Sequence, residues 1–249
     1  MDRKLTIDEH KKTYLTKRYC KMRSNKYKSV TIENFLSDDE LDAFDAASKL
    51  DNITYLHDTS MYPQQKRYQL ESDTTAHYHK FDKFYTDPAW AHLVDIIQPK
   101  LAAQFGSKIK ASHIHILDSR FPYGLHNDAE QENYQSSPNP AWTLIIPLDD
   151  YESKTYVFNE SSVKKDPREW IKQYKIQPNT EPAVDKKTWE KDFAPFTDFD
   201  LLHYLTVETT FKWKRGSCFA ADRYKFHCSD NFINYGLEGK RAIIIWTGR

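Results

Sequence analysis

Three side chains constrain this sequence more than any other feature. His126 and Asp128 lie two positions apart in Tyr123-Gly124-Leu125-His126-Asn127-Asp128, and His227 follows ninety-nine positions after Asp128, in Arg223-Tyr224-Lys225-Phe226-His227. Side chains two apart on extended backbone share a face, so His126 and Asp128 point together while Asn127 points away. With a second histidine brought to them by the fold, they become two imidazoles and one carboxylate, a set that suits non-haem Fe(II) and leaves coordination positions open. His126-Asn127-Asp128 is the only His-x-Asp or His-x-Glu in the chain. Chance alone supplies such a triplet on the order of once per chain, so its weight comes from the order of the elements around it.

That order reads as mainly β with flanking α. Lys108 to Ser119 alternates with apolar residues on both faces, which predicts a strand buried between layers. Trp142 to Leu148 and Thr155 to Phe158 read as two further β segments, and Lys212 to Phe219 leads to the His227 region. The chain closes on Gly239-Lys240-Arg241-Ala242-Ile243-Ile244-Ile245-Trp246, an apolar strand entered by two cations. Cys228 directly follows His227 and is expected on the opposite face, as a small core residue rather than a ligand.

With these residues in this order, the sequence resembles the 2-oxoglutarate and Fe(II)-dependent oxygenase superfamily. The resemblance covers roughly the last 140 residues, and Val30 to Ser37 is similar to a lead-in these enzymes often carry. It implies a double-stranded β-helix, that is a jelly-roll or cupin-like barrel, buttressed by N-terminal helices. It also implies Fe(II) held by His126, Asp128 and His227, with 2-oxoglutarate and O2 as co-substrates. The implied activity is hydroxylation of a C–H bond with release of succinate and CO2. A basic residue of the closing strand would bind the far carboxylate of 2-oxoglutarate. The register of a cation six positions before Trp246 resembles prolyl hydroxylases and selects Lys240, whereas the bidentate fork of arginine favours Arg241, which is slightly preferred. Thr143 and Tyr123 are further candidates for a hydroxyl bond to a bound carboxylate, beside their bland reading as barrel wall and packing residues. The substrate class stays open between a peptide or prolyl group and a small molecule, with nucleic acid ranked last. Two alternatives stand beside this reading: a catalytically inactive metal- or ligand-binding barrel of cupin type, and a cupin-like enzyme using His113 and His115.

Bulk properties set the limits. Thirty-six Lys and Arg balance thirty-six Asp and Glu, so no global field draws nucleic acid or an anionic membrane. Three cysteines are too few for a disulfide framework and suggest a reducing compartment. No apolar run is long enough to span a membrane and no secretory leader pattern is present, so a cytoplasmic monomer or homodimer is expected. A length of 249 residues suits a single domain: a basic segment over 1–28, helical support over 29–107, and a β core over 108–249 with an insertion at 159–203.

Within the support region, Ser37-Asp38-Asp39-Glu40 has the pattern of a capping box and opens a helix. Asp87-Pro88 opens a second helix, carried by Leu93, Val94, Ile97, Leu101 and Phe105 and ended by Gly106. Tyr55 to Tyr85 lacks periodicity and is predicted as a surface loop; its His77 and His79 read as a surface pair. Ten Lys or Arg against three Asp or Glu in residues 1–28 fit a solvated terminus or a basic arm. The insertion reads as a charged helix with an aromatic face, open to use as a lid or as a dimer contact.

Overall fold

Apolar residues on both faces of the predicted strands require cover on both sides, and the computed structural model supplies it in layers. Residues 26–47, 53–57, 66–70, 88–128, 141–164 and 166–248 are described. Among the described residues ten strands run in chain order: β1 (Val30–Ile32), β2 (Ile53–His57), β3 (Lys66–Leu70), β4 (Lys110–Ser119), β5 (Trp142–Pro147), β6 (Lys154–Ser161), β7 (Val207–Lys212), β8 (Cys218–Asp222), β9 (Lys225–Ser229) and β10 (Lys240–Gly248). They form a seven-stranded sheet in the order β1-β8-β5-β10-β4-β3-β2 and a three-stranded sheet in the order β7-β6-β9. Every pairing is antiparallel.

The large sheet carries two helices on its outer face, α1 (Asp38–Ala47) and α2 (Pro88–Phe105). The capping box forms at α1, with the Ser37 amide donating to Glu40 at 2.8 Å and the Glu40 amide to the Ser37 hydroxyl at 3.3 Å. Gly106 ends α2 with a φ of 99°, where a side chain would be strained. Leu41, Phe44, Leu93, Ile97 and Leu101 pack there against Ile114, Ile116, Leu144, Ile146, Ile243 and Ile245. Each fully buried side chain of this kind contributes about 1.5–3 kcal/mol.

The alternate residues of the same strands face the small sheet. Leu117, Ile145, Ala221, Ala242 and Ile244 meet Val157, Phe211 and Trp213 in a second core between the sheets. The outer face of the small sheet, made by Tyr156, Phe158, Phe226 and Cys228, is covered by the insertion. That segment holds α3 (Pro167–Tyr174), capped by Asp166, α4 (Lys186–Asp192), capped by Asp185, and a 3₁₀ turn at Phe199–Tyr204. The insertion thus lies on the far side of the small sheet from the inter-sheet core.

The expected loop from Tyr55 to Tyr85 is corrected in part. Its first residues belong to β2 and Lys66–Leu70 forms β3, which pairs with β4. Lys66, Arg67 and Gln69 break the apolar alternation, so pairing with a neighbour rather than pattern makes this segment a strand. His77, His79 and most of the basic segment lie outside the described residues.

Candidate metal centre

Strand β9 alternates cleanly. Phe226 and Cys228 enter the core under the insertion, while His227 takes the opposite face. His126 is not in a regular strand. It forms an isolated antiparallel bridge with His227, with amide-to-carbonyl distances of 3.0 Å from His126 to His227 and 2.8 Å in return. A separate backbone contact runs from the Asp128 amide to the Arg223 carbonyl at 2.9 Å. Asn127 turns away as period two requires: it is buried, and its side-chain amide donates to the carbonyls of Ser162 and Lys164 at 3.0 and 2.8 Å.

His126, Asp128 and His227 converge, with one ligand atom from each inside a 4.8 Å span, the one such group among the described residues. His126 Nε2 lies 3.9 Å from Asp128 Oδ1, and His227 Nε2 lies 3.5 Å from Asp128 Oδ2. Both distances fall within the roughly 4 Å available to two atoms each about 2 Å from one metal. The opposite ring nitrogens are fixed by carbonyls, His126 Nδ1 by Gly124 at 2.7 Å and His227 Nδ1 by Lys225 at 3.1 Å. A carbonyl oxygen only accepts, so each Nδ1 carries a proton and Nε2 is the ring atom turned toward Asp128. Two imidazole Nε2 atoms and a carboxylate facing one point fit a divalent metal.

Asp128 stays ionised. Burial alone would raise its pKa, but His227, His126, the Thr143 hydroxyl and Arg223 together hold it below the ordinary carboxylate value. Thr143 donates to Asp128 Oδ2 at 2.7 Å, so this hydroxyl, expected as a contact for a bound carboxylate, is engaged with the proposed ligand. Arg223 was not singled out from the sequence, although it stands four residues before His227. Its guanidinium donates to the Asp128 carbonyl at 3.0 Å and stacks on the Trp246 ring, 4.7 Å from the centroid. Tyr123 packs its ring beside His126, with centroids 5.4 Å apart. His115 meets the Trp246 edge at 5.6 Å and lies outside the convergent group.

The two cations of β10 part company. Arg241 points to the helix-covered face and pairs with Asp45 of α1 at 2.6 Å. Lys240 shares its face with Ala242 and Ile244 and is buried between the sheets, where Nζ donates to the hydroxyls of Ser153 and Ser229 at 2.8 Å each. It sits 3.8 Å from the centroid of Trp213, with Asp230 at 3.9 Å. Alternation along β10 thus sends the two candidates to opposite faces, Arg241 to the helix side and Lys240 to the space between the sheets. Ser153, Ser229 and Asp230, which form the lysine's cradle, carried no signal in the sequence beyond the position of Ser229 two residues after His227.

No protein-family model and no curated protein sequence matches the chain. Solved structures do. The non-heme alpha ketoglutarate dependent carbocyclase SnoK from nogalamycin biosynthesis superposes with a TM-score of 0.52 at 12% identity, covering 94% of this chain and 85% of that one. HygX from Streptomyces hygroscopicus, with nickel and 2-oxoglutarate bound, gives 0.51 at 12% identity over 98% and 87%. The non-heme alpha ketoglutarate dependent epimerase SnoN from the nogalamycin pathway gives 0.50 at 12% identity over 94% and 83%. The chain has the fold of these enzymes.

Proposed function

We propose that this protein is an Fe(II)- and 2-oxoglutarate-dependent oxygenase built on a double-stranded β-helix, and that it oxidises a C–H bond of its substrate. The observation that carries the reading is the convergence of His126, Asp128 and His227 with both Nε2 atoms turned toward the carboxylate. In this reading those three residues hold the iron. Lys240, with the Ser153 and Ser229 hydroxyls, holds the far carboxylate of 2-oxoglutarate. Ser229 stands two residues beyond His227 on β9, a rise of roughly 7 Å, which a five-carbon diacid can bridge. When bound, iron and 2-oxoglutarate supply the oxidising power drawn from O2, with succinate and CO2 as co-products.

The chain's own part is placement and exclusion. Asp128 is kept charged and oriented by Thr143, while Leu117, Ile145, Val157 and Ala242 make the space between the sheets apolar and keep water from the reacting centre. Hydroxylation of a peptide, prolyl or small-molecule substrate is the outcome we favour. The carbocyclase and epimerase neighbours perform other outcomes on the same fold, and the prolyl-hydroxylase comparison rests on the Lys240 register alone.

The test is an anaerobic titration of the apo-protein with Fe(II) and then 2-oxoglutarate, with Asp128→Ala beside it. A visible charge-transfer band that needs both additions and is lost in the variant is the expected result. Folded, metal-loaded wild type without that band would move the protein to the class of metal- or ligand-binding barrels.

A further inference from the structure

The insertion meets the metal-ligand loop at Asn127, through the Ser162 and Lys164 carbonyls, and again at one peptide group beside His126. The peptide joining Gly124 to Leu125 presents its carbonyl to His126 Nδ1 at 2.7 Å, and its amide donates to the Thr197 hydroxyl at 3.1 Å. Thr197 belongs to the insertion, seventy-two positions away. Both ends of one peptide are therefore fixed, one by the ligand imidazole and the other by a buried hydroxyl. Hydrogen bonds in such a chain polarise one another, so the bond to Thr197 strengthens the carbonyl as an acceptor for the ring N–H.

The insertion is in turn built to hold Thr197 still. Its amide donates to the Phe193 carbonyl at 3.0 Å and its carbonyl accepts from the Trp189 indole at 2.7 Å. The preceding turn is tied to the barrel by Asn231, whose side chain donates to the Ala194 carbonyl at 2.7 Å. Gly124 permits the approach: a Cβ there would lie 2.4 Å from the Phe196 carbonyl oxygen. A glycine at the start of the ligand loop, a hydroxyl aimed at its peptide and a braced turn behind that hydroxyl make one device.

We propose that Thr197 is a positioning residue for His126, and that the insertion is a brace for the metal-ligand loop. This inference rests on the metal-site reading given above. Losing the hydroxyl frees the peptide, loosens the ring and weakens metal binding by roughly 10-fold, the lower end of what outer hydrogen-bond partners of ligands contribute.

The experiment compares Ni(II) affinity of the apo forms of wild type, Thr197→Val, Thr197→Ser and His126→Ala, with apo melting temperature alongside. The expected result is weaker Ni(II) binding in T197V, near-normal binding in T197S, and a larger loss in H126A. A folded T197V that binds as wild type, while H126A does not, overturns the brace and leaves the metal site standing. Wild-type binding unaffected by H126A overturns both. Should T197V fail to fold, hydrogen exchange of the wild-type Leu125 amide decides. Linkage is reciprocal, so a hydroxyl that strengthens metal binding requires Ni(II) to slow that exchange, and unchanged exchange refutes the proposal.

Discussion

His126 and His227 exchange both of their main-chain hydrogen bonds with each other, at 3.0 and 2.8 Å, as a single antiparallel pair outside any longer ladder. A pair of this kind sets its two side chains on one side of the backbone plane, and the imidazole centroids are 4.4 Å apart. The relative placement of the two nitrogen donors is thus a property of the backbone. Asp128 completes the set through a separate contact, its amide bonded to the Arg223 carbonyl. Backbone pairing thus brings the three side chains to one point, and side-chain hydrogen bonds then orient each of them.

Thr143 is the clearest of these orienting contacts. Its hydroxyl fixes one oxygen of Asp128 and is one of the groups that keep the carboxylate charged against its burial. Thr143→Val, close in shape but without the hydroxyl, is expected to weaken Ni(II) or Fe(II) binding about 10-fold or more. Thr143→Ser is expected to retain most of the affinity. Equal affinities for all three proteins would assign Thr143 to the barrel wall alone.

Period two made several orientations legible in the sequence: His126 with Asp128, Asn127 turned from them, and Cys228 opposed to His227. It failed for Lys240 and Arg241 because β10 is covered on both faces. Ala242 and Ile244 are buried in one core and Ile243 and Ile245 in the other, so hydrophobicity carries no parity and only the packing on each face decides which cation lies between the sheets. The capping box of α1 was readable because all its partners lie within four residues. Strand β3 was not, since its polar sequence depends on a neighbour for its conformation. The Thr197 contact joins distant segments through one hydroxyl, which no local pattern announces.

Gly216 marks a close approach between the turn before β8 and the segment leading into α1. Its φ is +69°, and a Cβ there would lie 2.6 Å from the Leu36 carbonyl oxygen. Gly236 has a similar φ of +80° but nothing within 4 Å. Both alanine variants carry a left-handed penalty of roughly 1–2 kcal/mol, and Gly216→Ala adds a clash with backbone. Chemical denaturation is expected to show G216A clearly less stable than G236A; equal losses would mean that the Leu36 segment yields freely.

Lys225 is fully buried and its ammonium is paired with Glu208, which also accepts from the Ser29 amide and hydroxyl at 3.2 and 3.0 Å. Burial pushes the Lys225 pKa down and Glu208 pulls it back. Glu208 thereby ties the entry to β1, at the edge of the large sheet, to the small sheet. Removing one partner strands a buried charge, so Glu208→Ala is expected to cost about 3–5 kcal/mol. The double variant Glu208→Leu with Lys225→Met is expected to be more stable than E208A alone, since no unpaired charge is left inside. A double variant no better than the single one would show that the Ser29 contacts, not the ion pair, carry the stability.

Lys240 gives the co-substrate reading its own pH dependence. Burial pushes its ammonium down to about 7, while Asp230 and Cys228 act in the opposite direction without restoring it. An anionic carboxylate needs the charged form, so 2-oxoglutarate affinity is expected to be flat below about pH 7. Above that pH the affinity should fall by up to tenfold per unit, because binding must then take up a proton. Stability follows the same titration with its own sign. The folded pKa lies below an unfolded value of roughly 10.4, so the unfolded chain binds more protons between these limits and the apo-protein gains stability as pH rises through them. Lys240→Arg keeps the charge and should lose the pH dependence of binding, while Lys240→Met should lose both binding and the stability slope. Arg241→Gln, whose parent side chain pairs with Asp45 on the helix side, is expected to leave 2-oxoglutarate affinity unchanged and to cost no more than about 1 kcal/mol. Isothermal titration between pH 6 and 9 separates the two residues. A loss of affinity in R241Q with none in K240M would return the anchoring role to Arg241 and require β10 to turn its other face to the site.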